Sequence, residues 1–170
     1  IAAKYMGAPH STGFALGTKE VIDAISRHSF VGYEARRIRG IGRPHKVDRQ
    51  EIMGVVAAVR RWMILNHEDR LAGAESQSQA ILKPLQGISG VSATLNTNIM
   101  GHQPFGVHLS LDPDVVGFTV DDLVEKLRDG DPAIWTRTSL DEPRIDIHVF
   151  GLNEGEAELV GDAIAAAVKG

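Results

Sequence analysis

The sequence predicts a mixed α and β fold that ends in an α+β layer built on an antiparallel sheet. Three observations carry this. From Val91 the apolar residues take up a period of two: Val91, Ala93, Leu95, Thr97 and Ile99 alternate with Ser92, Thr94, Asn96 and Asn98, the pattern of a half-buried strand. Residues 107–111 and 144–150 repeat the alternation, with Val107, Leu109 and Leu111 on one face, and Ile145, Ile147 and Val149 opposite Asp146 and His148. Helical stripes lie before and after these stretches.

Taken in order, residues 12–17 are short, apolar and bounded by Gly13 and Gly17, which predicts a strand. Thr18 opens a helix to about Ser26 that puts Val21, Ile22 and Ile25 on one face. Residues 27–47 read as an irregular connection. It holds Arg36, Arg37, Arg39, Arg43 and Lys46, with no acid between Glu34 and Asp48. Asp48 and Glu51 form a capping-box pattern before a helix expected to reach about Arg70, with Ile52, Val55, Val56, Val59, Trp62 and Met63 at helical spacing. A second helix, 74–86, carries Ile81, Leu82 and Leu85, exposes the Glu75–Gln79 stretch and stops at Gly87. Beyond the first two strands and the turn 101–106, Thr119 and Asp122 cap a short helix. Strands at 133–138 and 144–150 follow. Asn153 with Glu156 caps a last helix striped with Leu159, Val160, Ala163, Ile164, Ala167 and Val168. The order ββαββα places helices on one face of an antiparallel sheet.

Composition excludes several classes. A chain of 170 residues with 43% hydrophobic and 24% charged residues is an ordinary globular sequence. A net charge of −4 argues against general nucleic-acid binding. Cysteine is absent, which removes disulfides and thiolate metal sites and is compatible with a reducing, cytoplasmic setting. No apolar run reaches membrane-spanning length. None of the seven histidines pairs with another at a metal-ligand spacing, so no metal is expected. Phosphate-loop, dinucleotide and nucleophile-elbow patterns are missing as well.

The chemistry concentrates near the front of the chain. Lys4 stands among small and apolar residues, and Ser11-Thr12-Gly13 follows shortly after. Lysine becomes an amine nucleophile when its surroundings keep it partly neutral. Hydroxyls beside a glycine whose backbone is approachable suit a phosphate. A Schiff-base lysine with a phosphate clamp is what pyridoxal phosphate (PLP) chemistry requires. Each residue also has a plainer reading. Lys4 reads equally as a surface lysine, Ser11 and Thr12 as strand entry with a local side-chain-to-backbone bond, and His10 as a satisfied loop histidine. Arg43 is suited to fork a carboxylate, with Lys46 adding a point charge, or both belong to a solvated basic loop. His102 and Gln103 sit in a turn, lining a cleft or simply exposed.

These segments resemble the selenocysteine synthase-like family of fold-type I PLP enzymes, which includes L-seryl-tRNA selenium transferases and D-glucosaminate-6-phosphate ammonia-lyases. Ala2-Ala3-Lys4, Gly7-Ala8-Pro9-His10 and Ser11-Thr12-Gly13-Phe14 resemble its cofactor-lysine segment, with Ala-Ala for Gly-Gly and His10 for Gln. Ile41-Gly42-Arg43-Pro44-His45-Lys46-Val47, then Glu51-Ile52-Met53-Gly54, resembles its Gly-Arg-Pro-x-Lys-Val segment before a long helix. The resemblance implies an α/β fold-type I chain. Residues 1–47 would end the PLP-binding large domain, 48–87 would connect, and 88–170 would form the α+β small domain. It implies PLP bound as a Schiff base to Lys4, with Ser11, Thr12, Gly13 and His10 near the cofactor and Arg43 and Lys46 on the substrate. The reaction expected is a lyase or transferase step on a small amino-acid-like substrate. Ammonia-lyase or β-elimination chemistry is favoured over selenium transfer, aminotransfer or racemisation. It further implies a homodimer or higher homo-oligomer, and an N-terminal portion of the same enzyme carrying the remaining cofactor contacts. The different class of reading is a non-catalytic α+β binding or assembly module whose basic loop holds an anion.

Overall fold

A computed structural model describes residues 1–36, 40–97 and 105–170. The expectations placed on Arg37, Arg39, Asn98, Ile99, His102, Gln103 and the start of the 101–106 turn lie outside these residues, as does the side chain of Arg36. The chain divides into two compact units, Ile1–Leu65 and Asn66–Gly170. The division falls inside the 48–87 stretch read from sequence as connecting helices.

The first unit opens with a 3-10 helix, Ala3–Met6, and continues through α1 (Lys19–His28), α2 (Phe30–Arg36) and α3 (Arg49–Ile64). The expected strand at 12–17 is reduced to a single antiparallel bridge, Ala2 to Gly13. The partner segment turns into the 3-10 helix at Ala3, so no second rung forms. Helix α2 occupies part of the stretch read as irregular. Ser29 supplies its start: the Gly32 N–H donates to the Ser29 hydroxyl at 3.1 Å, a local cap that the Ser-then-apolar pattern carried. Asp48 stands at the N-cap of α3 without the expected side-chain bonds, its exposed carboxylate leaving the first-turn N–H groups to solvent. The helix ends at Ile64 rather than near Arg70, because the Asn66 side chain accepts from Glu68 N and Asp69 N at 3.1 and 3.4 Å and starts a new helix. Among the described residues, only Ala3 and Ala58 are buried apolar residues of this unit. The expected face of α1 stays open, with Val21 and Ile25 about half exposed.

The second unit holds α4 (His67–Leu82), β1 (Val91–Leu95), β2 (Val107–Leu111), α5 (Pro113–Val116), α6 (Val120–Arg128), β3 (Arg144–Ile147) and α7 (Glu156–Lys169). The strands form one antiparallel sheet with β2 in the centre. Val91 faces Leu111 and Leu95 faces Val107 across the first pair; Val107 faces Ile147 across the second. The inward residues Val107, Leu109, Ile145 and Ile147 meet Leu123 and Leu127 of α6, Ile164 of α7 and Ile81 of α4 in a single core. The fold is therefore a mixture of helices with a small antiparallel sheet, as the alternation required. Pro84 cannot donate a helical N–H, and α4 gives way to a 3-10 turn at Lys83–Leu85.

Three local expectations are corrected. The 133–138 strand is an extended segment with one bridge, Thr138 to Ile145; its Ile134 N–H bonds instead to Leu127 O at the end of α6, at 2.8 Å. Ser78, placed on an exposed face, is fully buried and donates to Ala74 O at 2.8 Å. Leu159, placed in the stripe of α7, is 41% exposed. The Thr119–Asp122 capping box forms as expected. Asn153 binds Glu156 through both its N–H and its side chain, while Gly155 takes the N-cap of α7. No helix among the described residues is long and apolar enough to cross a membrane.

Candidate functional site

Lys4 sits in the middle of the 3-10 helix, and backbone bonds fix where that helix stands. Ala3 N donates to Thr12 O and Phe14 N to Ile1 O, both at 3.0 Å, and Ile1 N donates to Phe14 O at 2.9 Å. A side chain at Gly13 would put its Cβ 2.7 Å from Ile1 O, so glycine is what lets the two segments lie this close. The loop between them rests on α3, where a Cβ at Gly54 would fall 2.6 Å from Pro9 Cδ. Ala3 is fully buried beneath, while the Lys4 side chain is exposed, its Nζ 5.2 Å from the Tyr5 ring centroid. Lys4 is thus an accessible amine on a rigid turn.

His10 and Ser11 are exposed in the same loop, and Ser11 holds φ at +67°, a left-handed conformation that costs a non-glycine residue about 1–2 kcal/mol. The Thr12 hydroxyl donates to Pro9 O at 2.6 Å. Its proton is therefore committed locally, and the Ser11 hydroxyl is the exposed donor of the pair. Lys4 thus stands on the 3-10 helix, and His10, Ser11, Thr12 and Gly13 lie in the loop that returns to pair with Ala2.

Arg43 and Lys46 form a second group on other elements. The Arg43 guanidinium lies 5.2 Å from the Tyr33 ring centroid and 5.7 Å from that of Phe30, and Lys46 Nζ lies 5.0 Å from the Phe30 ring. Both cations share an aromatic platform supplied by α2. Cation–π contacts at exposed sites are worth about 0.5–1 kcal/mol and also hold the side chains in place. Arg43 Nε stands 3.8 Å from Glu34 Oε1, and both side chains are about half exposed. Gly42 is needed for the approach: a Cβ there would lie 2.0 Å from His28 O. Phe30 and Tyr33 were not singled out from the sequence. The signal was an aromatic pair three residues apart ahead of the Arg-Pro segment.

The second unit contains a polar groove that sequence reading did not assemble, a half-open cavity of about 750 Å³. It lies on the outward face of β2 and β3, against the 137–141 segment. His108 and Asp146 are cross-strand partners, and His108 Nδ1 meets Asp146 Oδ1 at 2.5 Å. Arg144, two residues along the same face, donates from Nε to that oxygen at 2.9 Å and also pairs with Glu142. Burial pushes the Asp146 carboxyl up, but the bonds from His108 and Arg144 outweigh it and hold the group below the usual carboxylate range. Burial pushes the His148 imidazole below the ordinary histidine value; Asp146 opposes the shift and the Arg137 charge adds to it. The alternation of Asp146 and His148 along the strand was the available signal. The register that brings His108 opposite Asp146 was not. Among the described residues no cluster of three or more histidine, cysteine, aspartate or glutamate side chains is placed to hold a metal.

One consequence for stability follows from His148. Its folded value is depressed, so the neutral form is favoured in the fold, and the stability it contributes is present above about pH 6.5 and lost as pH falls below it. The urea midpoint is expected to drop between pH 7 and 5, above the range in which Asp146 titrates. His148→Asn should flatten that drop; an unchanged profile in the variant would refute the assignment to His148.

No family model matches the chain. A 5'-C-glycyluridine monooxygenase-decarboxylase of a Streptomyces species is 30% identical over 134 residues, which is 79% of this chain and 31% of that protein. The solved structure of a D-glucosaminate-6-phosphate ammonia-lyase superposes with a TM-score of 0.67 at 22% identity, over 99% of this chain and 42% of its own. The chain thus spans about a third of the length of the first protein and less than half of the second. At this level of identity the second match fixes the fold: the chain is folded like part of that ammonia-lyase.

Proposed function

We propose that this chain is part of a PLP-dependent enzyme that acts on an amino-acid substrate, with Lys4 as the lysine that binds the cofactor. The observation that carries the reading is an exposed amine on a pinned 3-10 turn, followed in the chain by the exposed Ser11, in a chain of which 99% follows the fold of an ammonia-lyase. The donor set fits the group. Lys4 presents a primary amine for the aldehyde, and Ser11 presents an exposed hydroxyl suited to a phosphate, while the backbone about Gly13 is paired with the Ile1–Ala3 segment. When bound, PLP acts as an electron sink for a bond breaking at Cα. Lys4 is the group able to hold and move the proton at that carbon. Arg43, oriented on its aromatic platform, offers a planar fork for a substrate carboxylate, and Lys46 adds charge beside it.

Ammonia-lyase or β-elimination chemistry is the first reading of the reaction, supported by the structural neighbour's name. The name of the sequence relative supports a second, oxygen-dependent decarboxylation of a glycyl nucleoside. Both names denote an amino-acid-type substrate, the class proposed for this chain. An assembly of two or more copies together with a further portion of the same polypeptide belongs to this proposal.

The test is reduction with borohydride of the full polypeptide saturated with PLP, followed by peptide mapping. The reading expects a stable adduct on Lys4; an adduct on another lysine, or none, would overturn it. For the substrate side, Arg43→Lys is expected to raise KM about tenfold or more with a smaller change in kcat, because an ammonium cannot form the two parallel bonds of a guanidinium. Unchanged kinetics in that variant would remove Arg43 from the substrate site.

A further inference from the structure

We propose that the polar groove of the second unit is a binding site for an oxyanion, the carboxylate or phosphate group of a small ligand, held between the guanidinium of Arg137 and the imidazole of His148. The ionisable groups around the groove are His108 from β2, Arg144 and Asp146 from β3 with His148 just beyond it, and Arg137 and Asp141 from the segment facing them. Three of these satisfy one another. Asp146 accepts from both His108 and Arg144, and Arg144 is further paired with Glu142. Three are left over: the exposed Asp141 at the groove's edge, and two donors. Arg137 is exposed, and among the described residues no carboxylate forms an ion pair with it. His148 Nδ1 is buried and has no hydrogen-bond partner.

A buried nitrogen left without a partner is costly, and such groups in folded proteins call for an explanation. Arg137 and His148 line the same groove. An anion between them would take bonds from the guanidinium and from Nδ1–H, remove the orphaned nitrogen and neutralise the unpaired cation. The paired groups supply the frame. Asp146 anchors His108 and Arg144, and an edge contact with Phe150, centroids 5.8 Å apart, supports the His148 ring. Asp141 on the rim disfavours a polyanion such as nucleic acid and suits a small ligand with one anionic group. The site lies wholly within the second unit and stands apart from the cofactor assignment.

Anion binding and protonation of His148 are linked, and the linkage is reciprocal. The experiment is an NMR titration of the histidine ring protons of the protein in sodium chloride, inorganic phosphate and acetate at equal ionic strength. Chloride is the necessary control, because screening of Arg137 by salt alone also raises the His148 midpoint. A rise of about one pH unit beyond chloride is expected for His148 with phosphate, acetate or both. Phosphate alone would identify a phosphoryl ligand and acetate alone a carboxylate; a response to both would leave the site general for oxyanions. Arg137→Gln, at an exposed position that leaves the fold intact, is expected to abolish the response. Lys4→Ala is expected to leave it unchanged, so failure of this site and failure of the cofactor reading are separable. No rise beyond chloride, a rise confined to His108, or a rise that survives in Arg137→Gln would overturn the proposal.

Discussion

Replacing Lys4 with alanine is expected to remove the borohydride-trapped adduct completely and to lower turnover of the full enzyme by at least about 10²–10⁴-fold, the range associated with a positioned proton-transfer group. The variant is a clean one. The lysine side chain is exposed and lies over the Tyr5 ring, while its backbone oxygen, which accepts from Gly7 N at 3.0 Å, stays in place. Ala3 beneath it is untouched, so the turn should keep its shape and any loss reports on chemistry rather than folding. An unchanged circular dichroism spectrum with lost activity would confirm that separation. Full activity in the variant would end the PLP reading and leave the description of the fold standing.

The largest effect on stability is expected in the second unit. Ile164 of α7 is fully buried against the sheet core, and Ile164→Ala should destabilise the fold by about 2–5 kcal/mol, from lost transfer free energy and the cavity left behind. Since a domain of this size is held by about 5–15 kcal/mol, the change is a large share of the total. Leu159, five residues earlier in the same predicted stripe, is 41% exposed, and Leu159→Ala should stay within about 0.5 kcal/mol. Urea denaturation of the two variants side by side decides the point. Equal losses would mean that the open side of α7 is covered in solution.

That pair of residues shows how far periodicity reaches. Helical spacing placed Leu159 and Ile164 on one stripe, but how wide a stripe a neighbour covers depends on tertiary packing. The alternation at 107–111 and 144–149 was legible because a strand with one buried face must alternate, and Val107, Leu109, Ile145, Ile147 and Val149 are all buried. The 133–138 segment looked similar in composition, yet its hydrogen bonds go to the end of α6 and to one bridge, a choice that local sequence does not encode. The break at Asn66 was legible in principle, since a short amide side chain ahead of Glu68 and Asp69 is a cap pattern; the apolar run across it hid the signal. For the candidate site, the turn and returning loop that carry Lys4 and Ser11 could be anticipated from their separation of seven residues and the glycines between and after them. The aromatic platform under Arg43 and the groove at Asp146 depend on which elements meet, and those contacts appear only in the folded chain.

The scarcity of buried residues in the first unit bears on how the molecule breathes. Amide protons in β2, β3 and α7 should exchange with deuterium only through global opening, because core side chains lock those elements together. Those of α1 and α2 are held by their own turns and by close backbone approaches at Gly32 and Gly42, and among the described residues neither helix carries a buried apolar side chain. Their protons should be replaced through small, local openings long before the sheet gives up its own.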